Sequence, residues 1–204
     1  MNWKMYKYIK RIIDFLVALL MMPIVLLVII VSGIGIKLTD GGPIIYQAKR
    51  RGIDGTIFNM YKIRTMYVNA PDIRNADNST FNSKNDSRVT PIGKILRKTS
   101  LDELAQIINV LKGDMSLIGP RPITIDKPVN EYDEKRIQRL KVRPGITGYT
   151  QAFFRNSITQ EQKFEYDAWY ASHYNFWLDL KIVFKTLQTI IMQKNVYSEE
   201  KNGK

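Results

Sequence analysis

Residues 15–36 read FLVALLMMPIVLLVIIVSGIGI, with no charged side chain. At about 1.5 Å of helical rise per residue the run reaches roughly 33 Å, enough to cross a bilayer core. A cleavable signal peptide has a shorter apolar region, about 7–15 residues, ending at small residues. No A-x-A site follows here. Pro23 lies near the middle, where it removes a backbone hydrogen bond and favours a kink. Lys4, Lys7, Lys10 and Arg11 precede the run, and Lys37, Lys49, Arg50 and Arg51 follow it. With both flanks basic, the positive-inside rule gives no orientation for a crossing. A spanning helix is the simpler reading. A re-entrant helix would place both flanks on the cytoplasmic face, with Asp14 pairing with Arg11 near the headgroups.

The whole chain has 204 residues, enough for one domain plus a peripheral element. Its 31 Lys and Arg against 19 Asp and Glu give a formal net charge of +12. That balance predicts polyanionic partners: nucleic acid, anionic lipid or phosphorylated substrates. With no cysteine, disulfides and thiolate metal sites are excluded, and a single His makes a His-based zinc site or a Ser–His triad improbable. Trp3, Tyr6 and Tyr8 alternate with lysines, the composition of an interfacial anchor. Near the other end Leu180, Val183, Phe184, Leu187, Ile190 and Ile191 share one helical face, off which lie Lys181, Lys185 and Lys194. This helix either packs on the core or lies on the membrane.

Two β-prone runs flank RGIDG (51–55) and predict a hairpin. Lys62 and Arg64 then alternate along its second strand, on one face, and with Thr65 hint at an anion site. Residues 67–90 are rich in Asn, Asp and Ser and predict a mobile loop, a candidate lid. A short helical turn around Ile92, Ile95 and Leu96, a loop at 113–122 and an acidic–basic helix near 129–141 complete the outline.

The segment LRKTSLDELAQIINVLKGDMSLIGPRP (96–122) holds two adjacent acids, Asp102 and Glu103. SLDE fits a capping box, with Ser100 as N-cap and Glu103 at N3. Leu101, Leu104, Ile107, Ile108 and Leu111 then form an apolar stripe, and Gly113 ends the helix. The same geometry puts Asp102 at N2, where the helix dipole favours the ionised carboxylate that a divalent cation or a nucleophilic attack requires. Arg97 precedes the acids. Arg121 follows them between Pro120 and Pro122, and Arg143 precedes Pro144 in KVRPGITG (141–148). Prolines that restrict the backbone around two arginines, near an acid pair and a basic hairpin, point towards phosphate chemistry.

KRIIDFLVALLMMPIVLL, YKIRTM, the 96–122 segment, KVRPGITG and WLDLKI, in this order, resemble the bacterial sugar transferase family, the small monotopic phosphoglycosyl transferases. The resemblance implies an α+β, mainly helical fold: a membrane anchor with a re-entrant helix broken at Pro23 (1–38), a hairpin, and a compact catalytic domain on the membrane surface (39–194). Residues 195–204 would be a disordered tail. It implies transfer of a sugar 1-phosphate from a nucleotide sugar, usually UDP-linked, to undecaprenyl phosphate at the cytoplasmic face of the bacterial inner membrane. Downstream glycosyltransferases would follow in surface-glycan assembly. Asp102 would be the nucleophile and magnesium ligand, forming a covalent phosphosugar intermediate, and Glu103 its acidic partner. Lys62, Arg64, Arg97, Arg121, Arg143, Thr147, Gln151 and Asp167 would contact substrate.

The chain departs from the family pattern at three places. Met22 stands where Ser usually precedes the proline, Ala105 where Pro is common, and GYTQAFFRN (148–156) where GWAQVNGRN is usual. Two other readings compete. A membrane-anchored nucleic-acid binder lacks a helix-turn-helix or aromatic–glycine motif, and a non-catalytic scaffold would not need Asp102, Glu103, Arg97 and Arg121 together.

Overall fold

A computed structural model describes residues 3–73, 83, 86–155 and 157–192. Its first element, α1 (Trp3–Asp40), is one helix of 38 residues, about 57 Å if straight. The expected break at Pro23 is not seen: Pro23 lies inside α1, which continues through it without a non-helical residue. Among the described residues, α1 is the helix long and apolar enough to cross a membrane.

The remaining domain packs along the whole of α1. Tyr6, Asp14, Ala18, Val25, Ser32 and Ile36 are buried at helical spacing, forming one stripe from the first turn to the last. Between them, Leu16, Leu20, Ile24, Leu27, Ile30, Val31, Ile34 and Leu38 stay exposed. Ala18 and Val25 meet Ile107, Val110 and Met115, while Ile36 meets Ile63, Leu96 and Ala105. Polar ties fix both ends. At the first, Tyr6 and Lys10 both reach Asp179, Arg11 donates to the carbonyls of Val110 and Leu111, and Asp14 accepts from the Leu117 amide. At the last, Asp40 takes two hydrogen bonds from Arg64.

The predicted hairpin forms as β1 (Ile45–Arg51) and β2 (Ile57–Ile63), antiparallel, with Ile45 opposite Ile63. Asn109, fully buried, joins this hairpin to the helix that begins at Ile107 by accepting from the Tyr61 amide and donating to the Asn59 carbonyl. Helix α2 (Pro91–Thr99) begins as its sequence dictates: the Thr90 hydroxyl accepts from the Gly93 amide, and Pro91 supplies a pre-set first turn.

The expected capping box at Ser100 does not form. Ser100 adopts φ 57 as the C-cap of α2, and its side chain caps nothing. Leu101–Gln106 is a 3₁₀ segment, and the α-helix α3 starts only at Ile107, running to Lys112. A left-handed residue turns the chain sharply between α2 and the 3₁₀ segment, and the Glu103 side chain is released from the backbone. The stop is as expected: Gly113 at φ 90 donates to the Asn109 carbonyl. A true capping box occurs instead at Thr159 and Gln162, opening α6 (Gln160–His173).

The two proline-bounded arginine motifs are brought side by side by a short parallel pair, β3 (Ser116–Ile118) with β4 (Gly145–Thr147). Their glycines are needed for this approach: a Cβ on Gly119 would lie 2.3 Å from the Arg143 carbonyl, and one on Gly148 2.1 Å from that of Gly119. The acidic–basic stretch gives a 3₁₀ turn at Val129–Glu131 and then α4 (Glu134–Arg139), which packs on α6. Helices α5 (Tyr149–Phe153) and α7 (Phe176–Ile191) close the second core around Ile118, Ala152, Tyr170 and Ile182. On α7 Ile182 is buried, while Trp177 and Phe184 are 74% and 65% exposed, so the helix packs on the core and presents an apolar face outward. Of the expected loop at 67–90, residues 74–82 and 84–85 lie outside the described residues, as does the tail at 195–204. The described ends of the loop are tied by a Met66–Val89 bridge and an Arg88–Asp86 ion pair.

Candidate active site

The two acids sit where α2 turns into the 3₁₀ segment, facing β2 on one side and the loop after β3 on the other. Their environments diverge. Glu103 accepts from Lys62 Nζ at 2.7 Å and from Arg121 Nη2 at 3.3 Å. Burial acts to raise its pKa, but Lys62 and Arg121 outweigh burial and bring it down to about 2. Asp102 is 9% exposed, and no described residue hydrogen-bonds its carboxylate. Its pKa moves the other way. Burial raises it, the Lys62 charge opposes this, Glu103 adds to it, and Arg97 and Arg121 only partly offset the rise. The expectation that a helix terminus would favour ionised Asp102 is therefore corrected. The regular first turn is absent, and desolvation dominates.

Arg97 flanks the acids, and its Nε donates to the Thr65 hydroxyl at 3.0 Å. Arg121 projects from the GPRP turn with its side chain 55% exposed, and its carbonyl is held by Arg139. Lys62, Arg97, Arg121 and the acid pair thus gather as the sequence suggests. Arg155, which keeps the family pattern at 148–156 but was not among the expected substrate contacts, joins them. Burial lowers its pKa and the nearby Glu103 charge opposes that, while its backbone is held at φ 49. That positive φ at a non-glycine residue, in the segment where Phe153 and Phe154 replace Asn-Gly, has no periodicity signal in sequence.

The other expected substrate contacts lie elsewhere. Arg64, just past β2, is buried and committed to Asp40 and to the Pro43 and Met66 carbonyls, so it fastens the end of α1 rather than offering an anion site. Asp167, on the buried face of α6, is 1% exposed, bound by Arg139 and by the Thr150 hydroxyl at 3.0 Å, and joins α6 to α4 and α5. Arg143 turns away from the acids, its Nε donating to the Gly113 carbonyl. The Thr147 hydroxyl meets that of Thr186 on α7, and Gln151 Nε2 donates to the Ile146 carbonyl. His173 stacks on exposed Trp169 at the surface.

Among the described residues no group of three or more His, Asp or Glu could cage a metal ion. Magnesium commonly takes one or two carboxylates and completes its shell with substrate phosphates and water. Asp102, with no hydrogen bond from a described residue, suits that arrangement. Glu103 is already neutralised by two cations.

Residues 5–193 match the family model for bacterial sugar transferases, and the chain belongs to that family. It is 37% identical over 188 residues to the uncharacterized sugar transferase EpsL of Bacillus subtilis, covering 92% of this chain and 90% of that one. It is 40% identical over 202 residues to an uncharacterized sugar transferase of Haemophilus influenzae, covering 94% of this chain but 42% of that one. The UDP-glucose:undecaprenyl-phosphate glucose-1-phosphate transferase of Klebsiella pneumoniae is 39% identical over 197 residues, covering 92% of this chain and 41% of that one. Several relatives are thus more than twice as long as the region they share with this chain.

Proposed function

We propose that this protein is a phosphoglycosyl transferase, moving a sugar 1-phosphate from a UDP-sugar to undecaprenyl phosphate with release of UMP. The observation that carries this is Asp102: a buried carboxylate, poorly solvated and without a hydrogen bond from any described residue, ringed by Lys62, Arg97 and Arg121. A carboxylate stripped of donors and raised in pKa is a stronger nucleophile than a solvated one. Its oxygen attacks the phosphorus that bears the sugar. The P–O bond to the uridylyl group breaks, and UMP leaves with the electron pair. The undecaprenyl phosphate oxygen then attacks the same phosphorus and releases the Asp102 carboxylate. A diphosphate repels an incoming carboxylate, so Arg97, Arg121 and Lys62 supply the positive field that permits the approach. A magnesium ion bound with the donor would neutralise diphosphate charge and polarise the leaving group. Glu103 holds Lys62 and Arg121 in place through its two contacts.

The packing of α1 supports a one-sided membrane topology. A helix crossing the bilayer would carry the domain that lines its whole length into the hydrocarbon. A helix entering obliquely from one leaflet places its exposed apolar faces in lipid and its stapled stripe against the domain. Exposed Trp177, Phe184 and Leu187 on α7 extend the lipid-facing surface. The catalytic domain then faces the cytoplasm, where nucleotide sugars are made.

The experiment is UMP release from a panel of UDP-sugars with purified protein, undecaprenyl phosphate and magnesium. Turnover with at least one donor, lost in Asp102→Asn, is expected; equal turnover in the variant overturns the nucleophile. Cysteines introduced at positions 2 and 40 should both be labelled from the cytoplasmic side, and labelling from opposite sides overturns the topology.

A further inference from the structure

Away from the acid pair, alongside β3, a cleft opens between the first turns of α1 and the 141–143 loop. It is lined by Lys7, Lys10, Arg11, Lys141 and Arg143, with Asp14 as its one acid. Three of these charges are spoken for. Lys10 pairs with Asp179 at 2.6 Å, Arg11 donates to the Val110 and Leu111 carbonyls, and Asp14 accepts from the Leu117 amide. Lys7 and Lys141 are exposed and make no side-chain hydrogen bond or ion pair among the described residues. Arg143 uses its Nε on Gly113 and its charge acts on the nearby Tyr174 hydroxyl, while its two terminal nitrogens make no hydrogen bond to a described residue.

We infer that this cleft binds the phosphodiester headgroup of an anionic phospholipid. Lys7, Lys141 and Arg143 offer unspent donors from two chain segments around one opening, the arrangement that phosphate oxygens satisfy. The cleft encloses a cavity of about 30 Å³, room for roughly two waters or one tetrahedral oxyanion. Free phosphate shares this chemistry, but the rim favours lipid. The α1 turns next to the cleft carry exposed Tyr8, Ile12, Phe15 and Leu16. A headgroup seated on the cations therefore has its acyl chains beside an apolar face. Such a contact anchors the entry of α1 at headgroup depth and sets how deeply the domain sits. The inference shares with the proposed function only the contact of α1 with lipid, and needs no catalytic step.

The test uses the full chain in neutral detergent and in nanodiscs of phosphatidylcholine with or without phosphatidylglycerol. Lys7→Gln/Lys141→Gln is compared with the charge-matched control Lys127→Gln/Lys135→Gln. Wild type and control should retain phosphatidylglycerol over phosphatidylcholine by native mass spectrometry. The Lys7/Lys141 variant should lose about 10- to 30-fold of that preference, as expected for two basic contacts at a lipid surface, with an unchanged melting temperature. An unchanged preference in that variant, an equal loss in the control, or complete displacement of the lipid by millimolar inorganic phosphate each overturns the inference. UMP release in neutral detergent is a separate readout. If no donor turns over while lipid preference still falls, the proposed reaction fails and the lipid site stands.

Discussion

Asp102 and Asp167 are both buried, and the two regions that hold them use the carboxylate in opposite ways. On the buried face of α6, Asp167 is almost inaccessible; burial raises its pKa, but Arg139 and Thr150 hold its oxygens. At the turn after α2, Asp102 is also buried and also raised, yet it has charges nearby and no donor in contact. Burial and a raised pKa are common to both, so neither marks a reactive group. The difference is satisfaction. A fully bonded carboxylate is part of the scaffold, whereas a desolvated one without donors retains its capacity to react.

The largest test of this contrast is Asp102→Asn, which should lower UMP release by at least ~10³-fold, the scale of removing a nucleophile. It should leave the protein as stable or more so at pH 7. Because the folded-state pKa of Asp102 is raised, its ionisation weakens the fold as pH climbs through that region, and the amide escapes this cost. A thermal melt beside the activity assay checks both halves.

Asp167→Ala should do the reverse. It leaves Arg139 buried and unpaired at a cost of about 3–5 kcal/mol by urea unfolding, and Asp167→Ala/Arg139→Met should recover most of it. If Asp167→Ala stays fully stable but loses activity, Asp167 belongs to the site and the contrast fails.

Glu103→Gln should lower activity by about 10- to 100-fold, by loosening Lys62 and Arg121. Its stability signature has a definite sign. A carboxylate held at about 2 in the folded state, against an ordinary 4.5, contributes stability that is present above about pH 4.5 and lost as pH falls towards 2. Urea midpoints measured from pH 7 to pH 3 should fall less steeply in the variant.

The smallest effect is at Ser100. A true N-cap would cost about 1 kcal/mol on conversion to alanine. With φ 57 and no capping bond, Ser100→Ala should change stability by less than about 0.5 kcal/mol, and Ser100→Gly should add up to about 1 kcal/mol by relieving the left-handed backbone.

Much of the site was legible because its signals are local. Asp102, Glu103, Lys62, Arg97 and Arg121 stand out by residue type and by the prolines and glycines around them, and the structure gathers all five. The candidates that lie away from the acids are set apart by long-range choices of partner. Arg64 has the same chemistry as Lys62 two residues earlier, but only tertiary packing gives it Asp40, 24 positions away in the chain. Asp167 and Arg143 looked available because sequence does not show what covers a side chain. Arg155 is legible only as a retained residue of the family pattern, and the positive φ that holds its backbone leaves no periodic trace.

The sequence by itself determined the apolar helix, the hairpin, the acid pair and the membership of the bacterial sugar transferase family, since hydropathy, turn residues and motif spacing are written along the chain. Tertiary structure alone decided that α1 is stapled to one domain from Tyr6 to Asp40, that Ser100 ends a helix instead of starting one, and that of two adjacent acids Glu103 receives the cations while Asp102 goes without. The reason is physical. Desolvation and charge pairing depend on what surrounds an atom in space, and those neighbours come from segments that the linear order keeps apart.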